Sequence, residues 1–164
     1  LILGTFHSRI SVYIGKLLYL IVLAVFATIL CVFLFDVLYP VMPFSFYIKP
    51  LIMLILSGIP IYLISIFVGF SLGKSVAMGL GIVGSLLSAL LVTGLGDFIW
   101  KFLPWGWGVR FMDYCVLQCV NERQFYSTFH EFQLGFIFML IFTVVLFIIS
   151  LMWFQRWEGG KENE

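Results

Sequence analysis

The chain has 164 residues, of which 63% are hydrophobic and only 10% charged. A soluble domain carries roughly 45–50% apolar and about 25% charged residues, and a chain this short cannot hide such a surplus in one core. A soluble enzyme and a disordered regulator are excluded. Nine Lys and Arg against eight Asp and Glu leave no basic patch for nucleic acid, so the composition is that of an integral membrane protein.

The chain begins at Leu1 instead of Met. Leu1 to Ile10 lacks the charged-then-apolar order of a signal peptide, which suggests an N-terminally truncated sequence. A helix needs about 20 apolar residues to cross a bilayer. Uncharged runs of that length cover Leu17 to Phe35, Leu51 to Gly73, Ser75 to Gly96 and Phe132 to Gln155. In lipid the backbone must satisfy its own hydrogen bonds, so all four are predicted helices, with spans at about 17–38, 51–73, 75–96 and 133–155. The predicted fold is all-α and membrane-embedded, a single transmembrane unit over 1–164.

The first connector, Tyr39 through Pro50, is rich in proline and aromatics and reads as an interfacial turn. Pro60, two residues after Gly58, falls inside the second span, where it removes one helical hydrogen bond. Gly73-Lys74 is so short a link that the second and third spans form a helical hairpin. In the third span Ala77, Gly81, Ser85, Ala89 and Thr93 recur every four residues, with Gly84 and Ser88 beside them. Such a ladder of small residues lets helix backbones approach closely.

The last connector, 97–131, is long. It opens with Trp100, Trp105 and Trp107 around Pro104, then carries apolar residues at Val109, Met112, Val116 and Cys119 or Val120. That spacing predicts an amphipathic helix lying on, or dipping into, the membrane surface. Trp153 and Trp157, one turn apart, are placed to anchor the end of the last span.

Charge says little about orientation. With both termini cytoplasmic, the inside carries Arg9, Lys16, Lys74, Arg156 and Lys161 and the outside Lys49, Lys101, Arg110 and Arg123. Five against four is a slight positive-inside bias. Asp36 and Asp97 fall near span ends and reach the interface, so no midplane acid offers a proton relay.

Several chemical motifs are incomplete. Leu72-Gly73-Lys74-Ser75 ends like a phosphate loop, but Val68 stands where the first glycine belongs. His130-Glu131 has no second histidine at zinc spacing, and His7 is the only other histidine. No Ser/His/Asp set or intramembrane carboxylate pair points to an enzyme. Of the cysteines, Cys31 reads as a small hydrophobe. Cys115 and Cys119, four apart on one helical face, read as free thiols, because a bridge would strain the helix.

Three segments in order carry a resemblance. They are Gly73-Lys74-Ser75 running into the small-residue span; Thr93-Gly94-Leu95-Gly96-Asp97 followed by Trp100 and Leu103-Pro104-Trp105-Gly106-Trp107; and Trp153-Phe154 to Arg156-Trp157-Glu158-Gly159. Together they resemble the permease subunits of lantibiotic self-protection ABC transporters, of the ABC-2 type membrane fold. The resemblance implies six spans with both ends cytoplasmic, of which this sequence supplies the last four. It also implies residence in a bacterial plasma membrane, a second permease subunit or a homodimer, and a separate ATPase that holds ATP and Mg. On this resemblance the chain itself is expected to bind no cofactor or metal and to be no enzyme, and its implied role is to expel or displace a cationic antimicrobial peptide.

For such an amphipathic substrate an aromatic element at the surface is apt. Trp100, Trp105, Trp107, Phe111 and Tyr114, with Asp97 and Asp113 nearby, are the candidate contacts, although the same residues also make an ordinary interfacial belt. Ala77, Gly81, Ser85, Ala89 and Thr93 are the candidate helix-packing face. Two alternatives stand beside this reading: an ABC-2 permease for another drug, peptide or lipid-linked substrate, and a non-transporting membrane scaffold or immunity protein.

Overall fold

A computed structural model describes residues 9–39 and 45–156. Five helices follow in order: α1 Arg9–Leu38, α2 Ser45–Ser71, α3 Lys74–Val92, α4 Pro104–Val120 and α5 Glu122–Arg156. Two 3-10 turns, Gly94–Gly96 and Trp100–Phe102, lie between α3 and α4. Among the described residues, α1, α2, α3 and α5 are each long and apolar enough to cross a membrane. The described residues are therefore those of an all-α integral membrane protein with four spans among them, and a further helix stands between the last two. Residues 40–44 of the turn at 39–50, the anchor Trp157, and the terminal charges beyond Arg156 lie outside the described residues, as does the side chain of Arg9.

The helix ends differ from the sequence expectation for local reasons. Lys49-Pro50 belongs to α2 and not to the connector, and α2 runs unbroken through both Pro50 and Pro60. The α2–α3 hairpin turns on Gly73, whose φ of 95° is the only positive value among the described residues, a conformation glycine adopts without steric cost. α3 stops at Val92 instead of reaching Gly96, because Thr93 is extended at φ −76° and ψ 167°. α5 starts at Glu122, well before Gln133. The Asn121 side chain accepts a hydrogen bond from the Gln124 backbone N–H at 3.2 Å, a favoured helix N-cap, and Glu122 complements the positive end of the helix dipole.

α2 is the central helix and touches all four others. At the hairpin end, Tyr13, Leu17, Leu63, Ile66 and Phe154 form one buried cluster. Within it the Tyr13 hydroxyl meets Ser150 Oγ at 2.7 Å. Ser150 donates to the Phe147 carbonyl at 3.0 Å, which leaves Tyr13 as the donor and ties α1 to α5. Hydrogen bonds of this kind hold helices together in lipid, where apolar contact between helices brings no hydrophobic gain. Toward the opposite end lies a second cluster, Leu91, Trp100, Trp107, Phe111 and Met139. The outer face of α1, from Leu18 and Val22 through Phe26 to Phe33, is exposed and apolar, as a lipid-facing surface must be.

Candidate functional site

The segment after α3 builds the most polar part of the molecule. Past Thr93 the chain turns back into the bundle through the two 3-10 turns and an extended Leu103. Pro104 then opens α4, a position where its missing N–H is no loss. α4 packs against α2, α3 and α5. Its first turn lies deep: Trp105 fits against Gly84, two turns before the end of α3, and the Trp107 ring meets Phe142, far along α5, at 5.4 Å.

Arg110 fastens this arrangement. It is 9% exposed. Its Nε donates to the Leu91 carbonyl at 2.6 Å, and one terminal nitrogen donates to the Thr93 carbonyl at 2.8 Å and to Asp97 Oδ1 at 2.6 Å. The carbonyls that end α3 have no partner within their own helix, and a cation is favoured at that negative end. The planar guanidinium reaches two backbone oxygens and a carboxylate at once, which an ammonium cannot match. Among the described residues no buried side-chain nitrogen or oxygen lacks a hydrogen-bond partner.

The candidate aromatic contacts are placed differently from the expectation of a displayed surface. Trp100, Trp107 and Phe111 are 2%, 1% and 0% exposed. Trp100 stands edge-on to Phe111 at 5.9 Å, and Phe111 in turn packs on Phe132 at 5.5 Å. The Trp107 indole N–H is satisfied by the Lys101 carbonyl at 2.8 Å. A Cβ at Gly135 would collide with the Trp100 ring, and one at Gly84 with the Trp105 indole. The tryptophans fill notches that glycine leaves on α5 and α3, so they serve the core. Trp105 remains partly exposed in its notch.

The two acids and Trp100 do come together. Asp97, Trp100 and Asp113 line a cavity of about 540 Å³ with Lys101, Arg110, Tyr114, Gln124, Thr128 and Glu131. Besides Arg110 with Asp97, Lys101 pairs with Glu131 across it. Three carboxylates face two cations, an excess of one negative charge. Asp113 is exposed and, among the described residues, takes part in neither ion pair. Burial first, and the Glu131 charge second, push the Tyr114 phenol above its ordinary range, so it stays a protonated donor. Phe98, 87% exposed, stands at the rim. The arrangement suits a cationic amphipathic ligand: carboxylates for its charge and aromatic edges for its apolar part.

Lys101, Arg110 and Glu131 were not candidates in the sequence. Arg110 stood there only as one outside charge. The available signal was its spacing: Trp107, Arg110, Phe111 and Tyr114 share one helical face, and a cation on an otherwise aromatic face needs buried acceptors.

The small-residue ladder is also offset from its expected use. Gly81, Ser85, Ala89 and Thr93 are exposed, while the neighbouring Gly84 and Leu91 carry the packing within this chain. Ala77 faces the hairpin partner, with its Cβ 3.8 Å from where one would stand on Gly69, and Ser85 lines an open cleft with Leu54, Ser57 and Ile61 of α2. The Ser85 and Ser88 hydroxyls donate to carbonyls of their own helix at 2.8 and 2.7 Å. Cys31, Cys115 and Cys119 are free thiols.

These features define a multi-pass helical membrane protein with a polar, acid-rich cavity at the end opposite the α2–α3 hairpin. Comparison with family models, curated proteins and solved structures returns no match.

Proposed function

We propose that this chain is the membrane-spanning permease subunit of an ATP-driven transporter of ABC-2 type, and that it expels or displaces a lantibiotic-like cationic peptide from the membrane of the bacterium that makes it. The ordered motifs of the sequence supply the family resemblance. The observation that carries the substrate class is the cavity with three carboxylates against two cations beside Tyr114 and Phe98. In this reading the cavity faces outward. Asp113 and the ion-paired acids receive the peptide's cationic groups, and Phe98 and Tyr114 receive its apolar face. No group in the chain is asked to do chemistry; ATP and Mg belong to a separate ATPase subunit, whose cycle moves the helices.

A second reading, a non-transporting membrane scaffold or immunity protein, is favoured by one observation: the face bearing Gly81, Ser85 and Ala89 is uncovered within this chain and suits close approach by another helix. Peptide tolerance of cells carrying an intact partner ATPase, compared with one mutated at its phosphate-loop lysine, separates the two. Transport expects tolerance to be lost with the inactive ATPase. Equal tolerance contradicts transport and leaves the scaffold.

A further inference from the structure

A second groove, on the opposite side of α4 from the acid-rich cavity, has a graded character. Its inner part, about 340 Å³, lies between α1, α2 and α4 and is lined by apolar side chains, among them Val32, Phe35, Tyr47 and Met112. All three thiols of the chain, Cys31, Cys115 and Cys119, face it as well. Its outer part, about 430 Å³, adds Lys49, Gln118 and Glu122. The two parts share Phe46, Pro50, Cys115 and Cys119 and so form one continuous channel. The apolar part runs alongside the transmembrane stretch of α1. The polar part gathers at the first turns of α2 and α5, where these helices leave the apolar zone.

The charges at the mouth are matched but not spent on each other. Lys49 Nζ donates to Gln118 Oε1 at 3.3 Å, which uses one of its three protons. Glu122 Oε1 accepts only a long hydrogen bond of 3.4 Å from the Tyr126 hydroxyl. Among the described residues the ion pairs are Lys101 with Glu131 and Arg110 with Asp97, so Lys49 and Glu122 do not neutralise each other. An apolar trough that ends in one separated cation and one separated carboxylate has the pattern of a zwitterionic lipid: acyl chain, phosphate, ammonium.

We propose that this groove is a binding site for a zwitterionic glycerophospholipid of the surrounding membrane, such as phosphatidylethanolamine. One acyl chain lies along Phe35 and Met112, the phosphate meets Lys49, and the ammonium meets Glu122. An anionic lipid of the same chains satisfies Lys49 but leaves Glu122 facing negative charge. A neutral alkyl detergent uses the apolar part alone.

The test is native mass spectrometry of the full chain, purified in an alkyl maltoside and equilibrated with dioleoyl phosphatidylethanolamine or dioleoyl phosphatidylglycerol. Wild type is expected to retain a single phosphatidylethanolamine about three- to fivefold better than phosphatidylglycerol, the worth of one exposed ion pair. Glu122→Gln is expected to abolish or reverse that preference, and Lys49→Gln to lower retention of both lipids. Cys119→Trp, which fills the junction of the two parts, is expected to release both with helix content unchanged by circular dichroism. Equal retention of the two lipids by wild type overturns the proposal, as does a preference for phosphatidylglycerol or loss of all lipid to detergent. A preference unmoved by Glu122→Gln overturns it too, whether or not Cys119→Trp folds.

Discussion

Arg110 is the residue on which the inner end of the loop depends. Its guanidinium holds the Leu91 and Thr93 carbonyls and Asp97, and all but 9% of the residue is buried. Removing the cation leaves the Leu91 carbonyl unpaired in a protein interior, where an unsatisfied buried acceptor costs about 1–3 kcal/mol, and leaves the Thr93 carbonyl with the Gly96 N–H alone. Asp97 is different, because its side chain is 55% exposed and water replaces what Arg110 loses. Arg110→Leu is therefore expected to lower the unfolding midpoint of the detergent-solubilised chain steeply. Arg110→Lys is expected to recover little, since an ammonium lacks the fork. Asp97→Asn is expected to cost under about 1 kcal/mol. Equal midpoints for Arg110→Leu and Asp97→Asn would sink the clamp.

At the scale of the elements, α4 is the piece that gives the molecule more than four parallel rods. It is seated by a knob and a notch, Trp105 against Gly84. A side chain at Gly84 must expel the indole, and forcing atoms into a packed site costs about 1–3 kcal/mol. Gly81, three residues earlier, has nothing within 4 Å. Gly84→Val is thus expected to lower the thermal midpoint of the isolated chain by several degrees and Gly81→Val to leave it nearly unchanged. The reverse order contradicts the seating of α4.

The same pair shows what was legible in the sequence. The four spans were legible, because length and apolarity alone decide whether a segment enters lipid. The hairpin at Gly73 was also legible, because a two-residue link has few solutions. The ladder of small residues marked α3 as a packing helix, but periodicity gives a face and not its partner. Gly84 serves α4 inside the chain, while Gly81, Ser85 and Ala89 look outward. The tryptophans misled for a related reason. An indole suits a membrane interface and a core notch equally well, and only the glycines at 84 and 135, distant in sequence, decide for the notch. The acid-rich cavity was half visible: Asp97 and Asp113 lie near each other along the chain, whereas Glu131 joins them only because α5 begins at Glu122 and carries its first turns beyond the span.

For the whole molecule the lengths matter. α5 has 35 residues, about 52 Å at 1.5 Å per residue, against a hydrocarbon core of about 30 Å. Its N-terminal part therefore stands clear of the apolar zone, and there Gln124, Thr128 and Glu131 complete the wall facing Asp97 and Asp113. The apolar belt below holds the chain in lipid, and the two clusters hold the bundle at its two ends. Between the upper cluster and water lies the acid-rich cavity, with its excess negative charge. Asp113 is the carboxylate there that is exposed and takes part in neither ion pair, so its charge can be removed without disturbing the fold. The most direct test is the peptide tolerance of cells producing Asp113→Asn at wild-type level beside an intact partner ATPase. Tolerance is expected to fall about fivefold, the worth of one lost contact between carboxylate and peptide cation. Unchanged tolerance at matched protein level contradicts the assignment of the cavity as the peptide's binding place.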